Sequence, residues 1–572
     1  MPLEPTLIVR GGTVVDGTGA SPFQADVALA GDRILAVGKL GPSRAEEIDA
    51  RGLLVIPGFV DVHTHYDAQA TWANHLTPSS CNGVTSVLLG NCGVGFAPCE
   101  PHQRDMLIRL MEGVEDIPEV VLAAGLPWNW RGFPDYLDAL AGRRFDLDVA
   151  AQVPHAALRV FVMGERGAAR EPATEQDRAR MAALAAEGIR AGALGFSTSR
   201  TLNHRTVDGQ PIPTLRAAED ELAAIARAVG EAGAGWLQMV ADFDEELEPE
   251  FAMLRRLVRQ SGRPMTMTVL ERDSRPSEWR RLLEHIAAAN AAGLAMTGQV
   301  RGRPTSILLG FELSQNPFLP CPSWREVATL PFPQRLAVLR QPAFRARLVG
   351  EAPTDRALAY RLRSWERIFP FGDPPNYEPG PQESIAALAR ERGIEPAEFA
   401  YDAMLAGDGR NILYRPLTNY AGGNLDSVRE MLAHPHTLVG LGDGGAHVGI
   451  ICDATDMTHA LTHWTRDRPA GGRFPVEWMV KRLTRDNARA IGLADRGVIA
   501  AGAKADLNLI DYDRLRLRRP EIVYDLPGGG KRLMQRSDGY VATFVSGVAV
   551  YRDGCPTGAL PGRLVRGGQA AP

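Results

Sequence analysis

Short runs of Val, Ile and Leu broken by Gly and Asp turns open the chain, over residues 7–15 and 25–37, and predict antiparallel strands. A third run, 47–56, leads through Pro57-Gly58 into Phe59-Val60-Asp61-Val62-His63-Thr64-His65. Between Gly83 and about Ile491 the pattern changes. Apolar runs at 85–89, 147–152, 193–197, 236–240, 265–270, 294–299 and 438–441 now alternate with Ala-rich stretches of helical period, such as 175–191 and 217–232. With the run at 55–65, this approaches eight strand–helix repeats and predicts an α/β fold of the (β/α)8, TIM-like barrel kind, whose reactive side chains stand at strand carboxyl ends. Residues 302–382, Pro-rich and partly helical, interrupt the repeat and are too long for a simple connection, so an inserted lid or subdomain is expected there. Beyond Ile491 the strand alternation returns at 497–502, 505–511 and 540–551. The expected organisation is therefore a small sheet unit drawn from 1–57 and 492–572, beside a barrel over 58–491.

Composition narrows the partners. A hydrophobic content of 45% with 23% charged residues is ordinary for a globular protein, and a formal charge of −5 offers no general attraction to nucleic acid or anionic membrane. No run of about 18 apolar residues occurs, and the amino terminus lacks a basic flank followed by an apolar core, so a cytoplasmic protein with a small-molecule substrate is expected. The six cysteines show no Cys-x-x-Cys spacing, which predicts reduced thiols, any of which could be a ligand.

The candidate chemistry begins at His63 and His65. On a strand, alternate side chains share a face, so both imidazoles are expected to point the same way, flanked by Asp61 and Asp67. An isolated His-x-His is more often a pair of satisfied polar residues; its company decides otherwise here. Cys92, in Leu89-Gly90-Asn91-Cys92-Gly93, follows the next strand and should open onto the same mouth, as a ligand rather than a nucleophile because no paired base is visible. Asp443, in Gly440-Leu441-Gly442-Asp443-Gly444-Gly445, can ligate a metal and take a proton from water. For substrate contacts the candidates are His155, Arg200, His204, Arg205, Gln238 and His447. His102, His285, His434, His436, His459 and His463 are assigned to surface or packing, and Trp128 and Trp130 to the core or a pocket wall.

These motifs, with Gly83-Val84-Thr85-Ser86-Val87-Leu88-Leu89 leading into the cysteine turn, resemble the metal-dependent amidohydrolases, and most closely the N-acyl-D-amino-acid deacylase (D-aminoacylase) family, over nearly the whole chain. The resemblance implies a metal-bearing barrel with a β-sandwich made from both termini. It also implies metal ligation by His63, His65 and Cys92, and Asp443 as ligand and general base for hydrolysis of an amide such as an N-acyl-D-amino acid. In that family two further histidines follow the fifth and sixth barrel strands; here Gln238 stands at the first position and Thr268 or Val269 at the second, and no histidine lies between His204 and His285. One divalent ion, zinc, rather than two is the resulting expectation. Hydrolysis of a cyclic amide, ester or carbamate, or a small-ligand binder without turnover, are the alternatives.

Overall fold

The computed structural model describes residues 4–243, 247–469 and 471–567, and the outermost residues of the expected terminal unit lie outside these. The fold is α/β. Phe59–Asp61, Val84–Leu89 and Asp148–Ala151 form a three-stranded parallel sheet. Val153–Pro154, Gly195–Arg200, Trp236–Ala241, Met265–Thr268, Met296–Val300 and Thr437–Val439 form a second parallel sheet, of six strands. Only Gln152 separates the edge of one sheet from the edge of the other, and at the opposite edges Thr64 makes a parallel bridge to Gly444. These strands are buried along nearly their whole length, as parallel strands covered by helices must be.

The helices form as their sequences dictate. Thr174 caps Glu175–Arg190 by accepting from the Asp177 amide while the Asp177 carboxylate returns to the Thr174 amide, with acids in the first turn and Arg190 in the last. Glu219–Glu231 buries Leu222, Ile225, Ala226 and Val229 on one face.

The terminal strands join a nine-stranded sheet in which Leu507–Ile510 lies between Leu54–Pro57 and Tyr540–Val545. The run expected at 25–37 is a hairpin, Phe23–Ala30 with Arg33–Gly38. The run at 47–56 is split into Glu46–Asp49 and Leu54–Pro57, both parallel to Leu7–Val14, because Arg51-Gly52 turns between them. Residues 497–502 are turns rather than a strand. The interrupting segment extends past Gln382: Ile412–Pro416 is the central strand of its sheet, between Ser306–Leu309 and Phe369–Phe371, and its apolar cluster runs from Ile307 to Leu413. No helix among the described residues is long and apolar enough to cross a membrane.

Candidate metal centre

His63 and His65 do not lie on a strand. The strand ends at Asp61, and the two histidines follow its carboxyl end in an extended stretch held by the Thr64 bridge and by the His65 amide donating to Gly444 O at 2.8 Å. The two rings are held differently at Nδ1. His63 Nδ1 meets Gln299 Oε1 in a 2.6 Å hydrogen bond, whereas His65 Nδ1 lies 3.3 Å from Glu115 Oε1 as an ion-pair contact without hydrogen-bond geometry, and both Nε2 atoms face Asp443 Oδ1. Cys92 Sγ stands 3.2 Å from His63 Nε2, and ligand atoms of His63, His65 and Cys92 all lie within 4.8 Å of one another. Asp443 Oδ1 approaches the same two Nε2 atoms at 3.5 and 3.6 Å.

The turns that carry these groups are strained where they need to be. Gly90 has φ +76°, and a Cβ there would lie 2.2 Å from Gln152 O, so only glycine lets the chain turn at this point; Cys92 follows at φ +56°. Leu441 and Asp443 also sit at positive φ, +68° and +44°. Non-glycine residues in this region cost of order 1–3 kcal/mol each and persist only where neighbours over-determine them.

The electrostatics set a thiol and imidazoles against burial. Desolvation pushes the Cys92 thiol up to about 12 and the His63 imidazole down to about 4. For His65 burial opposes the charged form, but Glu115 and Asp443 outweigh it and hold the ring well above its usual value. Asp443 is buried too, and there Arg301 and the two histidines overcome desolvation and keep the carboxyl far below the carboxylate range. For Asp61 and Asp67 burial wins, over the His63 amide and Arg301 in one case and over His65 in the other, and raises both to about 7. A buried thiol with so high a pKa becomes a thiolate only beside a concentrated positive charge, and a neutral imidazole, a thiol and a carboxylate converging on one point are the donors zinc-like ions take. The residues fit a divalent metal.

A cavity of about 680 Å³ opens over this cluster. His204 and His447 line it, as does Thr268, whose hydroxyl has no hydrogen-bond partner among the described residues, while Val269 turns away against Gly298. His204 bonds through Nδ1 to Ser199 Oγ at 2.8 Å and is held well below its usual pKa by desolvation and by His65 and His447. Other expected substrate contacts are engaged elsewhere. His155 is fully buried between Thr198 and Glu221, Arg200 pairs with Glu250 and Ala217 O, and Arg205 donates to the backbone of its own loop at Leu202 and Gly209. None of the three is among the residues that line the cavity; each is engaged by these partners instead. Gln238 lies beneath the floor, where its Oε1 accepts from the Cys92 amide at 3.1 Å and so supports the cysteine turn.

Glu115, Gln299 and Arg301 are site residues that local sequence reading does not single out. Glu115 ends the helix Arg104–Glu115, and only the folding of that helix over the strand ends brings it to His65. Gln299 and Arg301 carried a signal: polar side chains at the end of an apolar strand expected to open on the catalytic face.

Comparisons with known proteins bear on the family and the fold. The pattern of the amidohydrolase family matches residues 46–551. The chain is similar to N-acyl-D-aspartate deacylase of Alcaligenes xylosoxydans xylosoxydans, 28% identical over the whole of this chain and 97% of that protein. It is also similar to D-aminoacylase of the same organism, 26% identical over 98% of this chain and 97% of that one. A solved structure of D-aminoacylase, studied for the role of its binuclear metal centre, superposes with a TM-score of 0.65 at 25% identity, over 98% of this chain and all of that one. With its sequence matched from the first sheet to the last, and its histidines gathered at strand ends, this chain belongs to the amidohydrolase family.

Proposed function

We propose that this protein is a metal-dependent hydrolase of N-acyl amino acids, cleaving the linear amide with Asp443 as general base. The observation that carries the reading is the convergence of one ligand atom each from His63, His65 and Cys92 within 4.8 Å, with Asp443 Oδ1 beside both imidazole Nε2 atoms. The relatives named as D-aminoacylase and N-acyl-D-aspartate deacylase, similar end to end, support the substrate class and the D configuration. The same likeness supports reading the eight parallel strands as a closed barrel, the 148–151 and 153–154 segments being one strand kinked at Gln152, and the nine-stranded sheet as a β-sandwich unit beside it.

His63, His65 and Cys92 would hold one divalent ion, zinc in first place, with Asp443 at its edge. Bound there, the ion supplies Lewis acidity toward an amide carbonyl and a lowered pKa for water. Asp443 Oδ1 accepts the proton of the attacking water and returns it to the leaving nitrogen. Gln299 holds the His63 ring through Nδ1, Glu115 places a carboxylate beside His65 Nδ1, and the cavity above receives the acyl and amino-acid parts. Gln238, already engaged with the Cys92 amide, and Thr268 offer no imidazole for a second tight site, which favours a single ion.

The test is a metal assay followed by a panel of N-acyl-D- and N-acyl-L-amino acids. One tightly bound zinc per chain and turnover confined to N-acyl amino acids are expected, with Asp443→Asn lowering kcat by roughly 10²–10⁴-fold while zinc is retained. Two tight zinc equivalents would refute the single ion, and an unchanged rate in Asp443→Asn would remove the base.

A further inference from the structure

The turn that carries Asp443 is strained at two residues; backbone bonds hold it to the histidine stretch, with Asp443 N donating to His63 O at 2.9 Å, and the Arg301 side chain reaches it at two further points. Arg301 follows the strand Met296–Val300, whose neighbour Thr437–Val439 leads directly into that turn, with Gly440 N donating to Val300 O at 3.0 Å. One nitrogen of Arg301, Nη2, donates both to Leu441 O and to Asp443 Oδ2. The other, Nη1, stands 2.8 Å from Asp453 Oδ2. Arg301 is itself fixed from below. Arg303 neutralises the far side of Asp453 at 3.3 Å, donates to Cys452 O at 2.7 Å and lies 4.2 Å over the Tyr377 ring, while Gly302 is pinned by Asp456 and by the Trp464 indole. The result is a fork that holds a backbone carbonyl and a carboxylate of one strained turn at the same time, with Asp443 Oδ1 left facing the imidazoles. Arg301 is 2% exposed, yet it borders the cavity.

We infer that Arg301 is a positioning residue for Asp443: its guanidinium fixes the rotamer and backbone of the base without touching substrate. This rests on the reading of Asp443 as the base. Lysine replaces it only in part: one ammonium can donate to Leu441 O and Asp443, which share the single nitrogen Nη2, but it lacks the second nitrogen that holds Asp453 at the same time.

Arg301→Ala and Arg301→Lys, each prepared with zinc, test the inference through zinc content, kcat and KM separately, and rescue by added guanidinium ion. A base displaced by about 1 Å loses on the order of 10²-fold in rate, so the expected result is such a fall in kcat for the alanine variant and a smaller fall for lysine. KM should stay within about threefold of the parent, because only transition-state interactions are lost. Zinc content should be unchanged, and guanidinium entering from the cavity should restore part of the alanine variant's kcat. A kcat within threefold of the parent in either variant overturns the inference; so does loss of zinc in step with activity, which would make Arg301 a scaffold of the whole site. If Arg301→Ala does not fold, Arg301→Lys decides by the same criteria. Asp443→Asn keeps the two claims apart: full activity there would defeat the assignment of the base, whatever Arg301 does.

Discussion

Each imidazole of the site faces one group at Nδ1, and the two groups differ in kind. Gln299 is neutral and close to His63, whereas Glu115 is a buried carboxylate beside His65, with His447 Nε2 3.9 Å from its other oxygen. Burial raises the Glu115 carboxyl, and His65 and His447 draw it back. Replacing Glu115 by Gln removes the negative charge but keeps the shape, so zinc affinity should fall by roughly 10–100-fold, read by competition with a chromophoric chelator. His63, His65, Cys92 and Asp443 were legible in the sequence because each sits in a local motif after an apolar run. Glu115 was not, since nothing in Glu112-Gly113-Val114-Glu115 distinguishes an acid at a helix end from one that will be buried against a histidine. Arg200 and Arg205 are substrate-contact candidates in the sequence for the opposite reason. A basic loop beside a strand end reads as a substrate contact until Glu250 and the loop's own carbonyls are seen to occupy it.

At the scale of elements, apolar runs fixed the strands well and left their ends uncertain. The expected strand at 265–270 stops at Thr268, and that at 438–441 stops at Val439, because in both places the chain leaves the ladder to present side chains to the cavity. The same trade is visible in the cysteine turn, which exists only because Gly90 tolerates φ +76° against Gln152 O. Gly90→Ala should therefore destabilise the protein by about 2 kcal/mol or more, combining an unfavourable φ with a backbone clash, and should weaken zinc binding as Cys92 moves. Thermal melts with and without zinc check both effects. The interrupting segment expected over 302–382 shares a sheet and a hydrophobic cluster with Ile412–Pro416, a strand that lies after two further helices and so escapes a reading based on Pro content.

At the scale of the molecule, the parallel strands and the terminal sheet are joined by a buried ionic cluster. Asp148 receives Lys504 Nζ at 2.6 Å, Arg496 Nη1 at 2.7 Å and the Arg563 amide at 3.0 Å, and Lys504 also holds Asp506 at 2.9 Å. Burial alone would raise the Asp148 carboxyl; the two cations outweigh it and lower it to about 2 from 3.8. A carboxyl depressed on folding contributes stability that is complete above its unfolded value and disappears as pH falls through its folded one. Asp148→Asn should thus cost roughly 3 kcal/mol near neutral pH. The gap between variant and parent should narrow as the pH is lowered from about 4 towards about 2, as followed by denaturant melts across that range. The placement of Leu507–Ile510 inside the nine-stranded sheet has a consequence for biosynthesis. The apolar edge of Leu54–Pro57 leaves the ribosome long before the strand that will cover it, and until then it is an open template for pairing with other chains. A nascent chain halted before Leu507 is accordingly expected to be captured by chaperones and to aggregate when released, whereas one extended past Val545 is expected to fold.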